Sequence, residues 1–212
     1  MQISTSDGES LEAVIEAPAT TSRGSVLVCH PHPQHGGTMN APLLVTLSAS
    51  LTAAGYTVLR FNFRGTGAST GVHGGGKAEV SDVAAAVEAL ADAEPAFEPA
   101  ICGWSFGGGV SLAYLHKFGA DNAWIGIAPA VFLLDESALG ATGDGNKLVI
   151  AGDRDQIFPI DTLEHAAGLL PGHVEFETLT GCDHFFVGRF AEQAAQRVID
   201  FLEARQPIAA GT

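Results

Sequence analysis

The sequence predicts one α/β domain built on a largely parallel β-sheet. Three observations support this fold class: short apolar runs alternate with segments of helical periodicity, β-branched residues are common in the runs, and glycines or prolines separate them. The 212 residues suffice for one substantial core, and 46% are hydrophobic whereas 16% are charged. We expect a single domain over residues 1–205 and a flexible tail over residues 206–212.

The strands are predicted from short apolar runs that end at turn residues. An opening pair is expected near residues 1–5 and 11–17. The clearest buried strand is SVLVCH, residues 25–30, which is bounded by Gly24 and Pro31. The other strands are predicted at 56–61, 100–103, 123–127, 147–151 and 174–179.

The helices are predicted from apolar residues that recur every three or four positions. In the first helix we expect Asn40 as the N-cap, Pro42 in the first turn and Gly55 just past the end. The other helices are predicted at 77–93, 106–118, 161–170 and 187–204.

Charge and cysteine content restrict the classes of partner. A formal net charge of −14 disfavours binding to nucleic acid or to an anionic membrane surface. Three cysteines, an odd number, favour a reducing compartment. The start of the sequence does not resemble a secretion leader, and no run of eighteen apolar residues occurs. We therefore expect a soluble cytoplasmic protein, with a homodimer as the candidate assembly.

The segment Gly103-Trp104-Ser105-Phe106-Gly107 indicates a nucleophile. It fits the pattern G-x-S-x-G, with an apolar strand before it and a helix after it. A serine in such a tight turn needs neighbours without bulk, and the N–H groups that begin the following helix favour developing negative charge. Ser105 is the predicted nucleophile.

A histidine and a carboxylate should complete the site, because a serine hydroxyl is nearly inert without a base. His184 lies in the loop between the last strand and the last helix, and we assign it as the base. Asp153 and Asp155 both follow the strand at 147–151. We favour Asp155 because it lies past the turn, although Asp153 stays open. Asp183 is excluded because adjacent side chains diverge.

The loop after the strand at 25–30 is predicted to help hold an oxyanion. Prolines have no N–H, so His32 is the only residue from Pro31 to Pro33 with a backbone donor. We expect the backbone N–H groups of His32 and Phe106 to form the oxyanion hole. The alternative is a metal site of His30, His32 and His35, which we do not favour because no recognised ligand spacing completes it. Neither a metal nor a cofactor is expected.

These motifs together resemble the α/β-hydrolase superfamily, and more narrowly short bacterial serine hydrolases and carboxylesterases close to dienelactone hydrolases. The residues that carry the resemblance read HPHPxxGGTMN, RFNFRGTGxSxG, GWSFGGG, GDRDQIFP and CDHFF. The resemblance implies a twisted, mostly parallel sheet of about eight strands flanked by helices. It also supports Asp155 as the acid. Dienelactone hydrolases use a cysteine nucleophile, so their substrate is not carried over to a chain with Ser105.

The segment at 129–146 is too short for a large cap over the site. Minimal or no cap predicts an open site, with Phe132, Leu133 and Leu134 as candidate walls for an acyl group. Their packing in the core is an equally good interpretation. His73, in a glycine-rich loop, is a further candidate for substrate contact, and Arg64 is expected to brace the neighbouring loops.

The predicted function is hydrolysis of small carboxylic esters with short acyl chains through an acyl-enzyme. A small-molecule acyl compound is the expected substrate. Thioester, lactone or peptide cleavage by the same triad is the alternative within hydrolases. A non-catalytic binding protein is the alternative from another class.

Overall fold

Residues 1–205 are described by the computed structural model, so the predicted tail at 206–212 lies outside the described residues. The strands are β1 (Gln2–Ser4), β2 (Ser10–Glu16), β3 (Ser25–Cys29), β4 (Thr57–Phe61), β5 (Ala100–Trp104), β6 (Trp124–Ile127), β7 (Lys147–Gly152) and β8 (Val174–Leu179). The α-helices are α1 (Pro42–Ala53), α2 (Glu79–Ala93), α3 (Phe106–Phe118), α4 (Glu136–Leu139), α5 (Ile160–Leu169) and α6 (Arg189–Glu203).

All eight strands form one sheet in the order β1-β2-β4-β3-β5-β6-β7-β8. Strands β3 to β8 run parallel to one another, whereas β2 pairs antiparallel with both β1 and β4. The central strands β3, β4 and β5 are buried along their whole length. This explains their continuous apolar runs, because helices cover both faces of a parallel sheet. The fold class is confirmed.

Helices cover the two faces of the sheet in separate groups. Helices α2, α3 and α5 pack on one face, where Val83, Val110 and Leu163 belong to one core cluster. Helices α1 and α6 pack on the other face, where Leu47 and Val198 belong to a second cluster. The sheet therefore separates two apolar cores and holds its strand ends in fixed positions.

Helix α1 begins differently from the expectation. Its N-cap is Ala41, with Pro42 in the first turn, and no side chain caps it. Asn40 instead uses its side-chain oxygen to accept a hydrogen bond from Arg60 Nη1 at 3.3 Å. The Asn40 side chain thus makes a tertiary contact with Arg60 and does not form the cap of α1 that the sequence predicts.

The connection between β6 and β7 confirms the expectation of a minimal cap. It contains a short 3-10 turn at Val131–Leu133 and the four-residue helix α4. Neither element is long enough to cover the carboxyl ends of the strands. Within residues 1–205, no helix combines the length and apolar character needed to cross a membrane.

Candidate active site

The predicted catalytic residues all follow parallel strands at the carboxyl edge of the sheet. His32 comes after β3, Ser105 after β5, Asp155 after β7 and His184 after β8. Because neighbouring parallel strands end at the same edge, residues far apart in sequence meet there.

Ser105 sits in a strained turn between β5 and α3. Its φ of 54° and ψ of −116° place it in the positive-φ region that side chains rarely adopt. Two hydrogen bonds hold the turn: Ser105 N–H donates to Ile127 O at 2.9 Å, and Ala130 N–H donates to Ser105 O at 2.9 Å. The loop after β6 therefore helps to fix the predicted nucleophile.

The glycines of the motif permit close backbone approach. A Cβ on Gly103 would lie 2.5 Å from backbone atoms of Gly107 and Gly108. A Cβ on Gly107 would lie 2.4 Å from Cys29 O. Such distances are well inside van der Waals contact, so only glycine fits at either position without a shift of the backbone.

Ser105, His184 and Asp155 form a continuous chain of hydrogen bonds. His184 Nε2 lies 3.1 Å from Ser105 Oγ, and His184 Nδ1 lies 2.7 Å from Asp155 Oδ2. A carboxylate only accepts, so Nδ1 carries the proton and Nε2 is free to accept from the serine hydroxyl. Asp155 Oδ1 also accepts the N–H groups of Ile157 and Phe158, at 2.8 and 2.9 Å.

The other aspartates near His184 have different partners. Asp153 Oδ1 accepts the N–H of Gly181 at 2.6 Å, and Asp183 Oδ1 accepts the N–H of Phe185 at 3.0 Å. Both therefore shape the loops around His184 and do not orient its ring. Of the two open candidates, the structure brings Asp155 to the histidine.

Trp104 is a supporting residue that sequence reasoning missed. Its indole Nε1–H donates to the backbone oxygen of His184 at 3.1 Å, and this joins the end of β5 to the histidine loop. The residue is only 8% exposed. Its position beside Ser105 in the motif was the available signal, because a residue next to a nucleophile faces the loops around it.

An open, mostly apolar cavity of about 470 Å³ lies at Ser105 and His184. Phe132, Ile157, Phe158 and Phe185 contribute apolar walls, and His32 and His35 contribute polar groups. Ile157 and Phe185 were not predicted, although each lies within two positions of a predicted triad residue. No aspartate or glutamate is among the described residues that line this cavity.

The three candidate walls after β6 have different positions. Phe132 lines the cavity and is 69% exposed. Leu134 belongs to the buried core. Leu133 packs against that core, and its side chain lies between Gly76 and Gly109. Of the two interpretations of Leu133, the pocket wall is therefore corrected in favour of packing, because α3 and the loop before α2 cover its side chain.

The two predicted oxyanion donors have N–H groups without a protein acceptor among residues 1–205. Phe106 is the first residue of α3, where an N–H has no partner within the helix. The carbonyl of His32 accepts the N–H groups of His35 and Gly37, each at 3.0 Å, so the loop is internally braced. A Cβ on Gly37 would lie 2.0 Å from Pro31 O, which explains this glycine.

His30 is a buried structural histidine. Its Nδ1 lies 2.6 Å from Pro31 O, and its Nε2 accepts the N–H of Phe63 at 3.0 Å. Burial lowers the pKa of His30 to about 4. The ring is thus neutral at physiological pH and joins the loop after β3 to the end of β4.

His73 lies behind the predicted oxyanion donors and does not line the cavity, which corrects its assignment to substrate contact. Its ring centroid is 4.8 Å from that of His32 and 5.3 Å from that of Phe106. His73 Nδ1 lies 2.9 Å from Glu79 Oε1 without forming a hydrogen bond to any of the described residues. Burial lowers the pKa of His32, and the neighbouring His73 and His35 lower it further.

Arg64 braces the loop after β4, as expected. Its guanidinium contacts Asp82 of α2 at 2.7 Å and Asp7 at 2.8 Å. The hydrogen bond from Arg64 is the main reason that the pKa of Asp7 is lowered to about 2. The first hairpin, the loop after β4 and α2 are therefore joined at one guanidinium.

The cysteines are poor nucleophiles. Cys29, Cys102 and Cys182 are free and buried. Burial raises the pKa of Cys182, the one nearest the histidine, to about 12, so it stays a thiol near neutrality. In residues 1–205, no group of three or more His, Cys, Asp or Glu side chains is arranged to hold a metal ion.

Known proteins share this fold at 25–31% sequence identity. A protein of Rickettsia prowazekii described as uncharacterized is 31% identical over 196 residues, which cover 88% of this chain and 82% of that protein. An α/β serine hydrolase homologue from Coxiella burnetii is 30% identical with a TM-score of 0.82, covering 93% of this chain and 96% of that one. A lidless serine hydrolase from Xanthomonas campestris is 25% identical with a TM-score of 0.87, covering 99% and 95%.

The likeness to dienelactone hydrolases lies in the fold. One from Anabaena variabilis has a TM-score of 0.83 at 17% identity, covering 98% of this chain and 97% of that one. A family model described as serine aminopeptidase, S33, matches residues 20–151, a span that holds Ser105 and ends before Asp155. From this match and the serine hydrolases above, the chain belongs to the α/β serine hydrolases of that family.

Proposed function

We propose that the protein hydrolyses small carboxylic esters with short acyl chains through an acyl-enzyme on Ser105. The observation that carries this proposal is the unbroken hydrogen-bond chain from Ser105 through His184 to Asp155, with distances of 3.1 and 2.7 Å. An open apolar cavity beside the serine supports a small, uncharged substrate.

Acylation begins when His184 Nε2 accepts the Ser105 proton as Oγ attacks the ester carbonyl carbon. The N–H groups of His32 and Phe106 donate to the negative carbonyl oxygen of the tetrahedral intermediate. His184 then gives its proton to the leaving alkoxide oxygen, and the C–O bond breaks. The alcohol departs and the acyl group stays on Ser105.

Deacylation repeats these steps with water as the nucleophile. His184 Nε2 accepts a water proton while the hydroxyl oxygen attacks the acyl carbon. It then returns that proton to Ser105 Oγ as the acid product leaves. Asp155 keeps the imidazole in the required tautomer throughout and stabilises the imidazolium that forms twice in each turnover.

The family description raises aminopeptidase activity as a second candidate. An aminopeptidase must bind the charged amino terminus of its substrate, and a carboxylate usually supplies the countercharge. The described residues that line the cavity at Ser105 include no aspartate or glutamate. Esters therefore fit this cavity better than peptides with a free amino terminus.

The first test uses Ser105→Ala with a panel of p-nitrophenyl acetate, an acetyl thioester and an aminoacyl p-nitroanilide. The wild-type enzyme should prefer the oxygen ester, and the variant should lose at least about 10⁴-fold in kcat. A fluorophosphonate should label the wild-type serine and leave the variant unlabelled.

The outcomes separate the alternatives. Faster turnover of the thioester or the anilide by the wild-type enzyme would replace the proposed substrate class. A folded wild-type protein that neither reacts with fluorophosphonate nor turns over any substrate would be a binding protein. Ester hydrolysis that survives Ser105→Ala would show that another group is the nucleophile.

A further inference from the structure

A second apolar cavity lies next to the one at Ser105. This side cavity, also about 470 Å³, lies between the start of α1 and the segment that leads into α6. Leu43 and Thr46 line it from α1, and Phe186, Val187 and Ala191 line it from the other side. Glu192 is the only charged residue among the described residues that line it. The side cavity therefore suits an uncharged, apolar group.

The two cavities share a wall. Pro42, Trp104 and Phe185 line both of them. Trp104 is held by its hydrogen bond to the histidine loop. Phe185 is 57% exposed, and Val187 beyond it is 70% exposed. A flexible chain that leaves the first cavity over this wall would cover both exposed side chains, which is favourable because it removes apolar surface from water.

The chemistry of the site decides which half of an ester lies nearer this wall. The carbonyl oxygen must point to the His32 and Phe106 N–H groups, whereas the leaving oxygen must reach His184 Nε2 to receive a proton. Three aromatic rings surround the His184 ring: Phe158 at 5.1 Å, Phe185 at 5.8 Å and Trp104 at 6.2 Å. Phe158 lines only the cavity at Ser105, whereas Phe185 and Trp104 form the shared wall. The group attached to the leaving oxygen therefore starts between Phe158 and the shared wall, from which a long chain can cross that wall.

We propose that the side cavity is a subsite for the alkyl chain of the alcohol half of the ester. This inference rests on the proposed ester hydrolysis, and it assigns the short-chain restriction to the acyl half alone. The preferred substrates are then short-acyl esters of alcohols long enough to cross the shared wall. Each methylene that enters the side cavity should raise kcat/KM by up to about fourfold.

The test fills the side cavity from the side remote from Ser105. Thr46→Phe places a ring there without touching the proposed triad, and Val45→Phe adds the same ring at the preceding position of α1, outside the cavity. Val45 is 44% exposed, so its substitution is a matched control. Both variants are compared with wild type on ethyl to octyl acetates and on ethyl esters of two- to ten-carbon acids.

We expect kcat/KM of the wild-type enzyme to rise along the acetate series. Thr46→Phe should reduce it at least about tenfold for octyl acetate and less than about twofold for ethyl acetate, while Val45→Phe should match wild type. All acetates form the same acetyl-enzyme, so deacylation should be unchanged. Thermal unfolding of the variants checks that both are folded.

Three results would overturn the subsite: a flat acetate series in the wild-type enzyme, an equal loss on every acetate in Thr46→Phe, or a loss confined to the acid series. In each of these cases hydrolysis of ethyl acetate still supports the proposed function. If wild type hydrolyses no ester and Ser105 resists fluorophosphonate, the proposed function itself fails.

Discussion

The backbone of Ser105 is held in a conformation of unfavourable energy. A positive φ at a residue with a side chain costs about 1–3 kcal/mol. Backbone hydrogen bonds with the end of β6 and the loop that follows it, together with Gly103 and Gly107, keep the turn in place. The resulting position brings the hydroxyl within 3.1 Å of His184 Nε2.

Asp155→Asn should lower kcat by about 10⁴-fold. The asparagine oxygen would keep the N–H bonds from Ile157 and Phe158, so its amino group would face His184 Nδ1. His184 Nδ1 would then have to accept a hydrogen bond from this amino group, so the imidazole proton would move to Nε2. A protonated Nε2 cannot take the serine proton. Steady-state hydrolysis of p-nitrophenyl acetate measures the loss.

Asp153→Asn is the matched control for this change. Asp153 contributes one oxygen that accepts the Gly181 N–H, and asparagine can supply the same oxygen. Its kcat should therefore stay close to that of wild type. Equal losses in the two variants would contradict the assignment of Asp155 as the orienting acid.

At the residue scale, chain order and local chemistry were enough to choose three side chains, Ser105, Asp155 and His184, that the structure joins by hydrogen bonds. Asp155 and Asp153 lie two positions apart, and only the course of the loop decides which one meets His184. The positions of His73 and Leu133 could not be predicted, because both depend on contacts with residues distant in sequence.

The loop between β4 and α2 packs against the two residues that we propose as oxyanion donors. Glu79, the first residue of α2, is fully buried and accepts the N–H groups of Gly74 and Gly76 at 2.6 and 2.8 Å. The same carboxylate also contacts His73, and the ring of His73 packs on His32 and Phe106. One acidic side chain therefore positions a loop that touches both predicted donors.

Glu79→Gln should destabilise this arrangement. One of the two glycine N–H groups would then face an amino group, and an unsatisfied buried donor costs about 1–3 kcal/mol. We expect that decrease in the free energy of unfolding in urea. We also expect kcat to fall by up to about 10²-fold, because the donors are displaced, with KM changing less.

Glu88→Gln provides the comparison within the same helix. Glu88 is exposed, so its substitution should change the free energy of unfolding by less than about 0.5 kcal/mol. If both glutamine variants keep wild-type kcat, the loop does not position the donors.

The strands and helices were largely predictable because their periodicity is a local property of the chain. The predicted strand at 174–179 has the observed bounds, and the helix predicted at 77–93 begins two residues later, at Glu79. The side cavity was not predictable. It forms where α1 meets the start of α6, and no local sequence pattern shows how far apart these two helices lie.

The stability of the whole molecule should depend on pH in two separate ranges. His30 stays neutral in the folded protein down to about pH 4, whereas in the unfolded chain it takes a proton near pH 6.5. The unfolded chain therefore binds more protons between these values, and stability falls as pH falls. Asp7, with a folded pKa of about 2, acts in the same direction below about pH 3.8, where its carboxyl in the unfolded chain takes a proton.

Urea unfolding should show a loss of about 2 kcal/mol between pH 7 and pH 5 from His30. His30→Leu should be less stable at pH 7, because the Phe63 N–H loses its acceptor, and it should lack most of this decrease. An equal decrease in both proteins would assign the pH dependence to other groups.

The order of the strands has a consequence for the lifetime of the active state. Asp155 and His184 follow β7 and β8, at one margin of the sheet, and within residues 1–205 β8 pairs with β7 alone. On the ribosome, Ser105 precedes its proposed base His184 by 79 residues, which is several seconds of translation at about 5–20 residues per second. In a nascent chain, Ser105 therefore lacks its proposed base until β8 has paired with β7. Local unfolding of β8 in the complete protein would move His184 away from Ser105 and reversibly stop hydrolysis, while the other strands stay folded.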